Sequence, residues 1–182
     1  MANDGFTAKV HDALSDTMNL PAEFLSFLPQ FIAQNPVPTV GDDAGKEIGY
    51  DQISSPVNIV GTTQATATTI IAGSEHEFDG SFVMAEFFSP AITTPSSGAG
   101  ANVVICLFEG STCIGLMAVV TTPASAIAEY CITAKLRFEP SAGLHTYSIK
   151  AFATSTTGTP SVQAGSAGSG NEVPAYLQFT KV

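Results

Sequence analysis

From Ser81 to Val182, short apolar runs alternate with small or polar residues and are cut by turns rich in Gly, Ser, Thr and Pro. This pattern admits few folds. In Leu136-Arg-Phe138 and Tyr147-Ser-Ile-Lys-Ala-Phe152 apolar and polar residues take turns. A strand built this way has one dry face and one wet face, because its side chains point to opposite sides in succession. Strands are expected over 57–60, 66–71, 75–78, 82–88, 102–109, 113–121, 127–138, 146–154 and 175–181. The segments 72–74, 79–80, 95–100, 109–110, 140–143 and 164–170 carry the turn residues between them. Many short strands with such turns give an all-β fold, an antiparallel β-sandwich or jelly roll. Residues 102–108 (Asn-Val-Val-Ile-Cys-Leu-Phe) do not alternate, so that strand is expected to be central or covered by a subunit. Glu109-Gly110 reads as a tight hairpin tip, and residues 155–171 read as a loop.

The first 51 residues differ. Pro21 to Gln34 has helical spacing, with Phe24, Leu28 and Phe31 on one face and Phe27 and Ile32 one step aside. Pro21 suits the first helical position, while Pro29 removes a hydrogen bond and kinks the helix. Val10, Leu14 and Met18 make a weaker helical pattern upstream. Residues 36–55 are acidic and bear Pro and Gly, and read as an extended linker. The expected organisation is a helical and extended docking arm over 1–51 and a sandwich over 52–182. An aromatic helix of this length has no core of its own, so Phe24, Phe27, Leu28, Phe31 and Ile32 are expected to dock on a partner.

Composition narrows the function. Charged residues make up 12% of the 182, and sixteen acids against six bases leave a net charge of −10. Nucleic-acid binding needs basic stripes that replace phosphate counterions, and none is present. No run approaches the ~18 apolar residues of a membrane span. Such low charge calls for a surface of Ser, Thr, Gly and Ala, or for burial between copies, and a homo-oligomer is expected. The start, Met1-Ala-Asn-Asp-Gly, has no basic or apolar signal region. Cys106, Cys113 and Cys131 sit in apolar runs without Cys-x-x-Cys spacing, and read as buried free thiols.

Chemistry-bearing residues are sparse. Glu75-His-Glu-Phe-Asp79 puts Glu75, Glu77 and Asp79 on one side of a strand and His76 on the other. Three carboxylates suit Ca²⁺, but the segment reads as a solvated strand edge ending in an Asp-Gly turn, and no metal or cofactor is expected. His11, His76 and His145 are far apart in sequence, and no Gly-x-Ser-x-Gly elbow accompanies the many serines. Glycoside hydrolysis needs a pair of carboxylates, for example Glu86 with Glu129. In its apolar strand Glu86 is better placed to pair with Arg137 or Lys135. Gly41-Asp-Asp-Ala-Gly-Lys46 lacks the length and the Ser/Thr of a phosphate loop. Arg137 is expected to join Glu139 or Glu86 in a bridge between strands or between subunits. No catalytic residue is assigned, and the chain is expected not to be an enzyme.

Several landmarks resemble a group of small tailed-bacteriophage virion proteins. They are Ser55-Pro-Val-Asn-Ile, Phe78-Asp-Gly-Ser, Ala85-Glu-Phe-Phe-Ser-Pro90, Leu107-Phe-Glu-Gly110, Gly115, Leu136-Arg-Phe-Glu-Pro-Ser-Ala-Gly-Leu-His-Thr-Tyr147, Pro174-Ala-Tyr-Leu and Thr180-Lys-Val. Leu20-Pro-Ala-Glu-Phe-Leu is similar to the short helix that precedes such domains. The resemblance implies a jelly-roll head, a homotrimer, attached to other virion proteins by its N-terminal region, on capsid, neck or tail. The alternative is a tail module whose sandwich loops bind host-surface glycan or protein. Either places the protein in the virion after synthesis in the host cytoplasm.

Overall fold

The computed structural model describes residues 44–96, 100–123, 127–166 and 172–182. Among these residues ten strands run in order: β1 (Glu47–Ile53), β2 (Val57–Asn58), β3 (Thr68–Asp79), β4 (Val83–Thr93), β5 (Asn102–Glu109), β6 (Thr112–Thr121), β7 (Glu129–Phe138), β8 (Ala142–Ala153), β9 (Ser161–Gln163) and β10 (Ala175–Lys181). One sheet has β1 beside β10, β10 beside β4 and β7 on the far side of β4, with β9 and β2 continuing from the end of β4. The other has the order β3-β8-β5-β6. Every pairing among the described strands is antiparallel. The pairs are nested, β1 with β10, β3 with β8, β4 with β7 and β5 with β6, which is the jelly-roll order. Among the described residues no helix is long and apolar enough to cross a membrane.

Alternation does the packing. Val83, Ala85 and Phe87 on β4 and Ala175, Leu177 and Phe179 on β10 are fully buried. They meet Ile105 and Leu107 on β5 and Tyr147 and Ile149 on β8 in one core between the sheets. Phe78, Tyr147 and Phe179 make edge-on or tilted contacts 5.4 to 5.6 Å apart, the geometry that ring quadrupoles favour. The expected non-alternating strand is β5, central in its sheet between β8 and β6. The hairpin tip at Gly110-Ser111 joins β5 to β6. Gly110 has φ +57°, as a two-residue turn with glycine first requires.

Three expectations need correction. The segment 36–55, read as linker, contains β1, an integral strand paired along β10. Its Pro- and Gly-flanked, acidic composition hid a strand whose inward residues are few. Residues 161–163 lie within the stretch read as a loop, yet form β9, with Val162 fully buried. Three residues are too few for periodicity to register. Ala72-Gly73-Ser74, read as a turn, is a bulge inside the single strand β3. Between Ala72 opposite Ser148 and Glu75 opposite Thr146 the register shifts by one residue. Glycine serves both turns and bulges, so composition does not separate them. A Cβ on Gly73 would lie 1.8 Å from the Tyr147 carbonyl oxygen. The expected helical arm, with Phe24, Phe27, Leu28, Phe31 and Ile32, lies outside the described residues.

Gly73→Ala is therefore expected to destabilise the domain by about 1–3 kcal/mol through overpacking against backbone, read as a lower midpoint in urea unfolding. A midpoint equal to that of the parent protein would show that Gly73 is a turn residue of no special fit.

Candidate functional site

The outward positions of β1, β10, β4 and β7 form one face of the larger sheet. Register sets two adjacent rows across it. One runs Gln52, Tyr176, Phe88, Thr133, and the next runs Tyr50, Gln178, Glu86, Lys135. Tyr50 stacks on Tyr176 with ring centres 5.4 Å apart and planes 28° apart. Tyr176 stacks on Phe88 at 5.3 Å and 23°. The three rings stand side by side as a ridge across β1, β10 and β4. Tyr50, at the sheet edge, is 42% exposed.

Polar groups flank the ridge. Tyr176 Oη donates to Glu86 Oε1 at 2.9 Å, and Lys135 Nζ lies 2.8 Å from Glu86 Oε2. Tyr50 Oη donates to Gln52 at 3.2 Å, and Gln178 donates to Glu47. The hydrogen bond from Lys135 is the main reason that the Glu86 carboxyl lies below its ordinary value. Partial burial opposes this, and Tyr176 and the Lys135 charge add to it. Burial, then the bond to Glu86, pushes the Tyr176 phenol up to about 12. Burial, then the charge of Glu47, raises Tyr50. The face thus offers an ionised carboxylate, two neutral phenols and two side-chain amides beside apolar ring edges.

The expected ion pairs are partly rearranged. Glu86 pairs with Lys135, its direct cross-strand neighbour. Arg137 stands opposite Met84 and lays its guanidinium 4.0 Å over the Phe82 ring, a cation–π contact. Among the described residues no ion pair joins Arg137 to Glu86 or Glu139. Glu129 stands opposite Thr93 while Lys135 stands opposite Glu86. Six residues of strand, roughly 20 Å, therefore separate Glu86 from Glu129, well beyond the ~5–9.5 Å of paired glycosidase carboxylates.

Two histidines distant in sequence stand opposite each other, His76 on β3 and His145 on β8. His76 Nε2 lies 2.9 Å from Asp51 Oδ2 on β1, and Asp51 Oδ1 accepts from the Ser74 backbone N–H in the β3 bulge at 2.8 Å. Asp51 thus clasps the edge of one sheet to the edge of the other. A Cβ on Gly49 would strike the His76 ring at 2.5 Å, so glycine there makes room for the imidazole. The acidic cluster is divided. His76 turns inward, Glu75 and Glu77 are exposed, and Asp79 binds Lys181 Nζ at 2.6 Å and the Ser81 hydroxyl and N–H. Among the described residues no group of three His, Cys, Asp or Glu side chains is placed to hold a metal.

His145 links Glu109 at Nδ1 to Ser141 Oγ at Nε2, the latter at 3.1 Å. The order is that of a hydrolase triad. The proton pattern is not, because Nε2 also faces the Ser141 carbonyl at 3.0 Å. A carbonyl only accepts, so Nε2 must donate there and has no lone pair with which to take a proton from Ser141. The arrangement is a structural clamp between the start of β8 and the β5–β6 tip. Sequence reasoning missed both histidine pairs, since nothing in spacing foretells that β1 lies against β3. Of the three cysteines, Cys106 is buried, whereas Cys131 is exposed on β7, contrary to expectation.

No protein-family model and no curated protein matches this chain. Solved structures similar to part of the chain include a carbohydrate-binding module of Cellvibrio mixtus lichenase 5A in complex with cellotriose. It is 16% identical over 78% of this chain and 93% of that one, with a TM-score of 0.31. Another is the N-terminal endo-1,4-beta-D-xylanase 10B of Clostridium thermocellum, a binding module with its catalytic module, complexed with xylohexaose. It is 9% identical over 78% of this chain and 27% of that one, with a TM-score of 0.30. A third is the C-terminal module of the laminarinase LamC from Zobellia galactanivorans, 10% identical over 73% of this chain and 100% of that one, with a TM-score of 0.26. At these scores the likenesses carry no argument about ligand or mechanism.

The Asp51 clasp has a definite pH signature. Burial alone raises this carboxyl. The hydrogen bonds from His76 and from Ser74, with the attraction of His76, outweigh that and leave it below its ordinary value. A carboxyl depressed on folding stabilises the protein above the unfolded pKa of about 3.9, and that stabilisation is lost as pH falls through the lower folded value. Asp51→Asn is expected to cost about 1–3 kcal/mol at pH 7, with the gap to the parent protein closing below about pH 4. Urea unfolding across pH measures both, and a gap independent of pH would refute the ionised clasp.

Proposed function

We propose that this chain is a non-enzymatic binding module that takes a neutral carbohydrate on the outer face of β1, β10, β4 and β7. The observation that carries the reading is the pair of adjacent rows on that face. A polyol presents donors and acceptors on neighbouring carbons and apolar C–H groups between them. Gln52 and Gln178 supply both donors and acceptors, Glu86 supplies acceptors, and the Tyr50, Tyr176 and Phe88 ridge supplies apolar edges. Glu86 has no opposed carboxylate at Glu129, and Ser141 has no free base at His145. This face lies on the sheet and not in the loops at its ends.

The test is binding of the full chain, clustered on beads, to an array of neutral and acidic glycans, followed by calorimetry on the best ligand. Tyr50→Ala and Tyr176→Ala are each expected to weaken binding roughly tenfold, the loss of one stacked ring with its hydroxyl. Absence of binding across the array, or binding untouched by both substitutions, would refute the reading.

The virion resemblance favours a second, compatible reading, in which the sandwich is a knob on a phage particle and the N-terminal region attaches it. Because β1 begins at Glu47, a deletion that tests attachment alone must stop before it. Removal of residues 1–43 is expected to abolish incorporation into particles, scored by immunoblot of purified virions, while the isolated sandwich keeps its unfolding transition. Incorporation at the parental level would refute this placement.

A further inference from the structure

Beside the proposed carbohydrate face a cleft of about 610 Å³ opens between the edges of the two sheets, within the ~300–1,000 Å³ usual for small-ligand sites. β1 edges the larger sheet and β3 edges the smaller. The two edges touch where Gly49 lies against the His76 ring and Asp51 bonds His76. Beyond that clasp they diverge. Lys46, Glu47 and Ile48 form one wall, and Glu77, Phe78 and Asp79 form the other. The start of β8 adds a third side with its smallest residues, Ala142 and Gly143, and a Cβ on Gly143 would meet nothing within 4 Å. Phe78, 2% exposed, and the core behind it close the cleft from within. The clasp closes it toward the middle of the strands.

Glu47 belongs to the cleft and to the outer face at once. Register sets the Glu47–Thr180 pair next to the Tyr50–Gln178 pair, and Gln178 Nε2 donates to Glu47 Oε2. The row that carries Tyr50 thus leads over the edge of β1 into the cleft. We infer that the cleft holds one end of the carbohydrate chain that the ridge binds, so that the module recognises a chain terminus. This placement rests on the carbohydrate reading and extends it to the end of the ligand. A chain that turns in over Glu47 meets the core below and the clasp beside it, and stops there. The lining suits sugar hydroxyls. Three carboxylates, of Glu47, Glu77 and Asp79, face the ammonium groups of Lys46 and Lys181. Their charges nearly balance, which favours an uncharged ligand over an ion. Carboxylates accept and ammonium groups donate, and a terminal sugar offers more free hydroxyls than an internal one because it spends one fewer on a linkage. Lys181 and Ser81 engage Asp79. Glu77 is exposed, and among the described residues its carboxylate accepts no hydrogen bond. Both of its oxygens are therefore available to the ligand.

Calorimetry of the full chain with linear oligosaccharides of glucose, galactose, mannose or xylose tests the placement. Each sugar is used untagged, with a fluorophore at its reducing end, and with one at its non-reducing end. A tag at one end, and not at the other, is expected to weaken binding to the parent protein roughly tenfold, as when a hydrogen bond to a charged group is lost. Glu77→Ala, and Ala142→Leu, which fills the cleft from β8, are expected to weaken the untagged sugar by a similar factor and to erase the difference between the tagged forms. Glu75→Ala, which removes a carboxylate of the same strand outside the cleft, is expected to leave binding unchanged. Equal binding of the two tagged forms to the parent protein would overturn the placement, whether or not any variant folds. A difference between them that survives both Glu77→Ala and Ala142→Leu would overturn it too. In either case, weakening by Tyr176→Ala would leave the ridge reading standing, whereas no binding of any sugar by the parent protein would remove both.

Discussion

The register of β10 against β4 is the constraint on which the rest of the molecule depends. These two strands lie in the middle of the larger sheet, and their alternation sends Leu177, Phe179, Ala85 and Phe87 into the core. The same alternation sends Tyr176, Gln178, Glu86 and Phe88 outward. A slip of one residue would exchange the two sets, placing a carboxylate and an amide between the sheets and two phenylalanines in water. Burial of the inner set, at about 1.5–3 kcal/mol for each large side chain, thus also holds the outer ridge in place. Core and binding face are two consequences of one pairing.

Polar groups do a different job at the edges. Asp51 is buried among strands that share no ladder, and a buried carboxylate is costly unless its lone pairs are used. His76 and the Ser74 N–H use them, and the bond to Ser74 is available only because β3 carries an extra residue there. The bulge, the Gly73 that permits it, the Gly49 that admits the imidazole and the Asp51 that caps it form one unit joining the sheets. His145 with Glu109 and Ser141 plays a similar part near the other side of Tyr147. Both histidines face carboxylates for cohesion, and the serine–histidine–glutamate order is a by-product of a clamp.

Much of the architecture was legible in the chain. The strands from Asn102 to Thr121, the tip at Gly110 and the strand from Ala175 to Lys181 follow from apolar runs and the turn chemistry that bounds them. β1 and β9 were not legible. One is flanked by linker-like residues and the other is three residues long, and each is a strand only because β10 or β4 supplies a partner. Glu86 was placed correctly in an apolar strand next to a cation, but Lys135 rather than Arg137 faces it, since pairing depends on register that one sequence does not state.

The sequence by itself determined the class of fold, the scarcity of catalytic groups and the acidity of the chain, because these depend on local periodicity and on counts. Tertiary structure alone decided which residues meet. It stacked Tyr50, Tyr176 and Phe88 from three separate strands and set His76 against Asp51. Each of these groupings rests on nested pairing between strands far apart in the chain. The energy of that pairing comes from a shared core, which no local window of sequence contains.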